Sequence, residues 1–171
     1  KKSLAKVYAD LDRMIAAGVA LVKFVDRTYN LDENYYLPIM QHLAEAETDA
    51  TFHFEIKVDL LTENVLNFLK TVPKGRFQFE IGVQTTNAAT LKAINRRDNW
   101  EKLIANVKRL LSYGNIHLHL DLIAGLPYEG MAEFEKSFND VYDLQPDMLQ
   151  LGFLKVLPGT VMDKQRLAHE L

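Results

Sequence analysis

The stretch that most constrains the fold is Phe77 to Arg96, where a strict two-residue alternation gives way to helical spacing. Phe77, Phe79, Ile81 and Val83 fall on one face of an extended segment, and Gln78, Glu80, Gly82 and Gln84 fall on the other. One face calls for burial, the other for water or a polar ligand. The pattern recurs twice. Phe52, Phe54, Ile56 and Val58 alternate with His53, Glu55, Lys57 and Asp59, and Ile116, Leu118, Leu120 and Leu122 alternate with His117, His119 and Asp121.

Helical patterns separate these strands, which predicts a parallel sheet whose right-handed crossovers place the helices on one side. The expected fold is α/β, a partial TIM-like (βα) barrel forming a single domain over residues 1–171. An ordinary barrel fills its lumen with branched apolar side chains. A lumen lined by Glu, Gln, His and Asp is costly to dehydrate unless something polar occupies it. A wet, ligand-holding cavity is therefore expected.

With 171 residues, 48% hydrophobic and 25% charged, the chain can bury the core of one domain. A net charge of −3 argues against a nucleic-acid surface built on bulk electrostatics. No apolar stretch approaches the roughly 20 residues needed to span a bilayer, and no signal peptide is visible, so the cytoplasm is the expected location. Cysteine is absent, which removes disulfides and thiolate metal sites from this chain. The sequence opens on Lys1-Lys2, already inside a helical pattern, and is expected to be a piece of something longer whose first strand lies upstream.

Leu4, Val7, Tyr8, Leu11, Met14 and Ile15 mark the first helix, with Gly18 placed to end it. Ala20 to Val25 reads as a strand running into Asp26-Arg27-Thr28. Asp32 or Asn34 is expected to cap a helix that tolerates Pro38 only near its first turn and finishes near Glu47. Thr51 to Asp59 is the next strand, and Thr62 caps a short helix ahead of the Pro73-Lys74-Gly75 turn. After the strand ending at Gln84, Asn87 starts a helix interrupted at Asn95-Arg96-Arg97. Asp98 with Glu101 then reads as a capping pair for a helix closed by Gly114. Ile116 to Ala124 is a strand ending in Gly125-Leu126-Pro127, and a helix through Phe134 and Tyr142 follows. Met148 to Val156 is the last strand, and a short amphipathic segment closes the chain.

Ligands in such sheets bind at the C-terminal ends of the strands. The groups expected on that rim are Asp26 to Thr28, Lys57 with Asp59, Gln84 to Thr86, Gly125 to Pro127, and Lys155 to Thr160. His117, His119 and Asp121, at i, i+2 and i+4 on one strand face, have the residue types and spacing of metal ligands and open one alternative, a metal-dependent barrel hydrolase. They diverge along about 13 Å of strand, so other strands would have to contribute, His53 first among them. Glu55 and Glu80 could form an acid and base pair. Arg96 could return to the cavity mouth and clamp a carboxylate. A non-enzymatic βα module for a small anion is a second alternative.

The run E-I-G-V-Q-T-T-N-A-A-T-L-K-A-I-N-R, followed by L-D-L-I-A-G-L-P-Y-E and L-K-V-L-P-G-T, resembles the radical S-adenosylmethionine superfamily. The similarity is to the branch of oxygen-independent coproporphyrinogen oxidases, methylthiotransferases and cobalamin-dependent cyclase-like members, and it covers essentially the whole chain. It implies a partial (βα)6 barrel with five of the parallel strands present here. It also implies a C-x-x-x-C-x-x-C loop upstream, whose thiolates hold a 4Fe-4S cluster. S-adenosylmethionine cleaved there starts radical chemistry on a small-molecule substrate, with flavodoxin or ferredoxin as the kind of electron donor expected. The piece alone is expected to be inactive and to bind no cofactor.

By the same resemblance Asp26, Arg27 and Thr28 stand where relatives carry a Gly-Gly-Glu or Gly-Gly-Gly-Thr-Pro segment that receives the amino group of S-adenosylmethionine. This is a departure, and a V-D-R-T ending is similar to cobalamin-dependent members, which leaves a corrinoid open. Glu55, Gln84 and Asp121 match positions implied to hold the ribose and sulfonium region. Arg96 matches the arginine implied to meet the methionyl carboxylate, and the Ile123 to Gly125 backbone is implied to flank the adenine. No catalytic residue and no protein metal ligand is assigned. A first strand missing from the sheet leaves Ala20 to Val25 as an open edge, which predicts self-association.

Overall fold

The computed structural model describes residues 1–166, so the end of the last amphipathic segment lies outside the described residues. Five strands lie in one sheet in sequence order, every neighbouring pair parallel. They are β1 (Leu21–Lys23), β2 (Thr51–Glu55), β3 (Phe77–Gln84), β4 (His117–Ala124) and β5 (Met148–Phe153). The helices are α1 (Leu4–Ala16), α2 (Glu33–Glu45), α3 (Glu63–Leu69), α4 (Ala88–Ala93), α5 (Trp100–Tyr113), α6 (Met131–Tyr142) and α7 (Val161–Gln165).

The alternation read in the sequence sets which face is dry. Phe52, Phe54, Phe77, Phe79, Ile81, Val83, Leu118, Leu120 and Leu122 are buried together with Tyr36, Ile39, Met40 and Leu43 of α2, Val65, Leu66 and Leu69 of α3, and Val107 and Leu110 of α5. At its centre Phe54 meets Phe77 edge-on, with ring centroids 5.3 Å apart, and stacks on Phe24 at 4.6 Å. Each fully buried ring of this kind contributes about 2–3 kcal/mol of burial. The opposite face carries His53 and Glu55, Glu80, Gly82, His119 and Asp121, brought level by register: Glu55 pairs with Glu80, Glu80 with His119, and Gly82 with Asp121.

Several boundaries differ from the sequence expectation, each for a visible reason. The strand expected over Thr51 to Asp59 stops at Glu55, and Val58–Leu60 forms a 3-10 turn. The Asn30 side chain takes both backbone groups of Lys57, donating to its carbonyl and accepting from its N–H, each at 2.8 Å. A loop side chain thus replaces the next strand partner. The proposed Asp98 and Glu101 capping pair does not form. Asn99 is the cap, its Oδ1 accepting the Lys102 N–H at 3.0 Å, because Asp98 is drawn into ion pairs described below. Asp32 occupies the cap position of α2 without a capping hydrogen bond and pairs with Lys1 instead. Pro38 sits in the second turn of α2, and the helix finishes at Glu45. β1 and β5 are shorter than read, the latter ending at Phe153.

The rim at the N-terminal ends of the strands is tied by long polar side chains. Arg76 donates to the carbonyls of Leu43, Ala46 and Thr48 at 2.6, 2.8 and 2.6 Å, capping the end of α2. Asn115 donates to the carbonyls of Leu69 and Val72 at 2.9 and 2.7 Å, closing α3 in the same way.

Candidate functional site

A polar cavity of about 400 Å³ opens at the C-terminal ends of β2, β3 and β4. Arg27, Thr28, Glu55, Lys57, Glu80, Gly82, Gln84, Arg96, Asp98 and Asp121 line it. An adjoining recess of about 400 Å³, lined by Lys23, Arg27, His53, Glu55 and Glu80, extends it toward β1. A larger and mostly apolar cavity of about 550 Å³ lies elsewhere, between α1, β1 and α2.

Of the residues named from sequence, the fold brings Arg27, Thr28, Glu55, Gln84, Arg96 and Asp121 to this one cavity. Asp26 is not among them, since the chain turns after β1 and Asp26 lines the apolar cavity. Ile123 and Gly125 sit further along the end of β4 and outside the cavity lining; Ile123 is half-buried, and Gly125 takes φ +86° where the strand breaks.

Gln84 reaches the site through an irregularity in β3. The pairing register slips between Gly82 and Gln84, so that Gln84 lies opposite Leu122, and its backbone adopts φ +70°. Its side chain folds back over Gly82, where a Cβ would overlap the Gln84 amide nitrogen and come within 3.8 Å of Arg96 Nη1. Only glycine leaves that space open.

Arg96 is held rather than loose. Its Nε donates to Asp98 Oδ2 at 2.7 Å and its Nη2 to the Gly82 carbonyl at 2.8 Å. Lys57 Nζ stands 2.6 Å from the other Asp98 oxygen, so one carboxylate whose side chain is 6% exposed orders two cations at the cavity mouth. Burial pushes the Asp98 carboxyl up, but hydrogen bonds from Lys57 and Arg96 outweigh it and leave it below the usual range. This arrangement was not legible in the sequence, where Asp98 carries an ordinary capping signal.

Deeper in the cavity the balance is acidic. Burial, reinforced by the neighbouring Glu80 and Glu55 carboxylates, pushes Asp121 up to about 7. Glu80 also lies 3.0 Å from His53 Nε2. His119 Nε2 and Asp121 Oδ1 stand 3.1 Å apart without hydrogen-bond alignment, and both atoms are buried without another partner. Burial holds His119 below its ordinary value, so the ring is neutral near pH 7.

The metal-hydrolase alternative does not survive this geometry. Among the described residues no group of three or more His, Asp or Glu side chains is placed to share an ion. His117 pairs across to Gln78, one row below His119, and does not converge with the other two.

A match to the radical SAM superfamily model covers residues 1–141, and the chain belongs to that superfamily. It is 31% identical over 108 residues to the oxygen-independent coproporphyrinogen-III oxidase-like protein HemZ of Bacillus subtilis, covering 63% of this chain and 21% of that protein. It is 35% identical over 89 residues to the oxygen-independent coproporphyrinogen III oxidase of Pseudomonas aeruginosa, covering 51% of this chain and 19% of that protein. Among solved structures, the Escherichia coli coproporphyrinogen III oxidase HemN, described as a radical SAM enzyme, superposes with a TM-score of 0.70 at 25% identity, covering 95% of this chain and 40% of that one. The cobalamin- and cluster-bound methyltransferase TsrM of Kitasatospora setae gives a TM-score of 0.80 at 14% identity, covering 95% of this chain and 33% of that one, a likeness of fold alone. The chain thus spans only about a fifth of the length of these two curated relatives.

The superfamily implies two groups, and the residues here suit one of them. S-adenosylmethionine presents a carboxylate, an ammonium and ribose hydroxyls. The cavity offers ordered cations at its mouth and carboxyl and amide groups within, including a buried Asp121 oxygen with no protein hydrogen bond. A 4Fe-4S cluster needs thiolates, and this chain contains no cysteine, so its residues do not fit the cluster.

Proposed function

We propose that this chain is the nucleoside-holding part of a radical S-adenosylmethionine enzyme of the coproporphyrinogen oxidase type. What supports the reading is one observation: Glu55, Gln84, Arg96 and Asp121, drawn from three strands and the loop after α4, line a single polar cavity. When bound and reductively cleaved, S-adenosylmethionine supplies the radical that removes hydrogen from a small-molecule substrate. Arg96 meets the methionyl carboxylate through Nη1, which has no described protein hydrogen bond, while Asp98 and the Gly82 carbonyl fix the guanidinium plane. Asp121 and Glu55 take the ribose hydroxyls, and a neutral Asp121 can donate as well as accept. The pocket walls also keep water from the reacting centre once substrate is seated.

The same reading carries an electron donor such as flavodoxin or ferredoxin and a cytoplasmic setting. A cobalamin-dependent version rests on the V-D-R-T segment that follows β1 and on fold likeness alone, so hydrogen abstraction without a corrinoid is the form favoured.

Titration of the enzyme that carries this chain with S-adenosylmethionine tests the reading. Arg96→Ala is expected to lower affinity about 10- to 150-fold, the equivalent of roughly 1.5–3 kcal/mol for a charged hydrogen bond. Unchanged affinity would remove Arg96 from the site and the reading with it.

A further inference from the structure

Behind the cavity, a second polar network joins the loop after β3 to the loop after β4, and none of its side chains lines the cavity. Thr85 is 1% exposed and Ser137, on α6, is fully buried. Both hydroxyls donate to the same Glu129 oxygen, Ser137 at 3.0 Å. That fixes the direction of each O–H. The lone pairs are left to accept backbone amides: Thr86 N–H on Ser137 Oγ at 3.1 Å and Asn87 N–H on Thr85 Oγ1 at 2.9 Å. Thr86 Oγ1 donates to Asp140 at 2.6 Å, Asn87 Nδ2 to the Tyr128 carbonyl at 3.0 Å, and the fully buried Thr90 to the Pro127 carbonyl at 2.9 Å.

Both of the segments tied together carry left-handed backbone. Gln84 takes φ +70°, Gly125 +86° and Tyr128 +60°. Left-handed non-glycine residues persist only where the surroundings over-determine them. The Thr85 N–H turns back onto the Val83 carbonyl at 2.9 Å, and past the end of β3 the Thr86 and Asn87 amides are taken by the hydroxyls that Glu129 aligns.

We propose that Glu129 and Ser137 are positioning residues for the nucleoside site: through Thr85 and Thr86 they lock the turn that aims Gln84 into the cavity and fix its distance from the end of β4. This rests on the reading of the cavity given above. The residues touch no ligand themselves; they set where Gln84 stands.

The test uses Ser137→Ala, Glu129→Ala and Glu129→Gln in the enzyme that carries this chain, with S-adenosylmethionine titration and amide hydrogen exchange read together. Ser137→Ala and Glu129→Ala should weaken binding by about tenfold or more, the effect of ~1.4 kcal/mol, and accelerate exchange at Thr86 and Asn87 while core amides of β3 keep their protection. Glu129→Gln, which retains an oxygen able to accept both hydroxyls, should stay near wild type in both measurements. Affinity within about twofold of wild type for Ser137→Ala, beside a weakened Arg96→Ala, would overturn the positioning role alone. Arg96→Ala binding like wild type would instead overturn the cavity reading and this proposal with it. A general loss of exchange protection across the sheet, not restored by Glu129→Gln, would reduce the network to fold stability.

Discussion

Asp121 concentrates the electrostatics of the cavity at one residue. It shares the polar cavity with Glu80 and Glu55, and burial and those charges raise its carboxyl to about 7 from its ordinary value of 3.8. The folded state therefore binds a proton that the unfolded chain has released, and stability contributed by this group is lost as pH rises from about 4 through 7. Asp121→Asn should remove that slope. Against wild type its melting temperature is expected to gain at pH 8, by about 2–4 °C for each kcal/mol recovered, with little gain at pH 4, as scanning calorimetry at the two values would record. His119 acts in the opposite sense, since its depressed value means stability falls as pH drops below its ordinary 6.5, but both proteins carry it and the difference isolates Asp121. A pH-independent difference between the two proteins would contradict the assignment.

At the scale of elements, the parallel βα order and its buried face were legible because they rest on period and burial, which are local properties of Phe77 to Val83 and its repeats. The site was legible in outline: Glu55, Gln84 and Asp121 alternate away from the core and so had to share a face. What the sequence concealed is every contact made by a side chain far along the chain. Asn30 is 27 positions from Lys57, yet it decides where β2 ends. Asp98 looked like a cap because Glu101 follows at the right spacing, and nothing local announces Lys57 as its partner. Asn30→Ala should cost about 2–3 kcal/mol, because the Lys57 N–H and carbonyl lose their partners in a part-buried setting. Urea unfolding at unchanged m-value would measure it. A loss below about 0.5 kcal/mol would mean that water serves Lys57 equally well.

For the molecule as a whole, the open feature is the outer edge of β1. It has no strand beyond it among the described residues, Leu21 at that edge is 46% exposed, and the apolar cavity of about 550 Å³ adjoins it. Unpaired edges recruit strands. This chain on its own is expected to self-associate with concentration in sedimentation velocity, and Leu21→Lys to disperse it; a monomer at every concentration would refute the expectation. The other asymmetry runs along the strands. All five point the same way, so every turn closed by Arg76 or Asn115 sits at the end away from the cavity. Peptide tags or spacers grafted into the 143–147 turn, with Asp147 kept for the Leu118 N–H it accepts at 2.8 Å, would then be carried at the end of the molecule remote from the cavity.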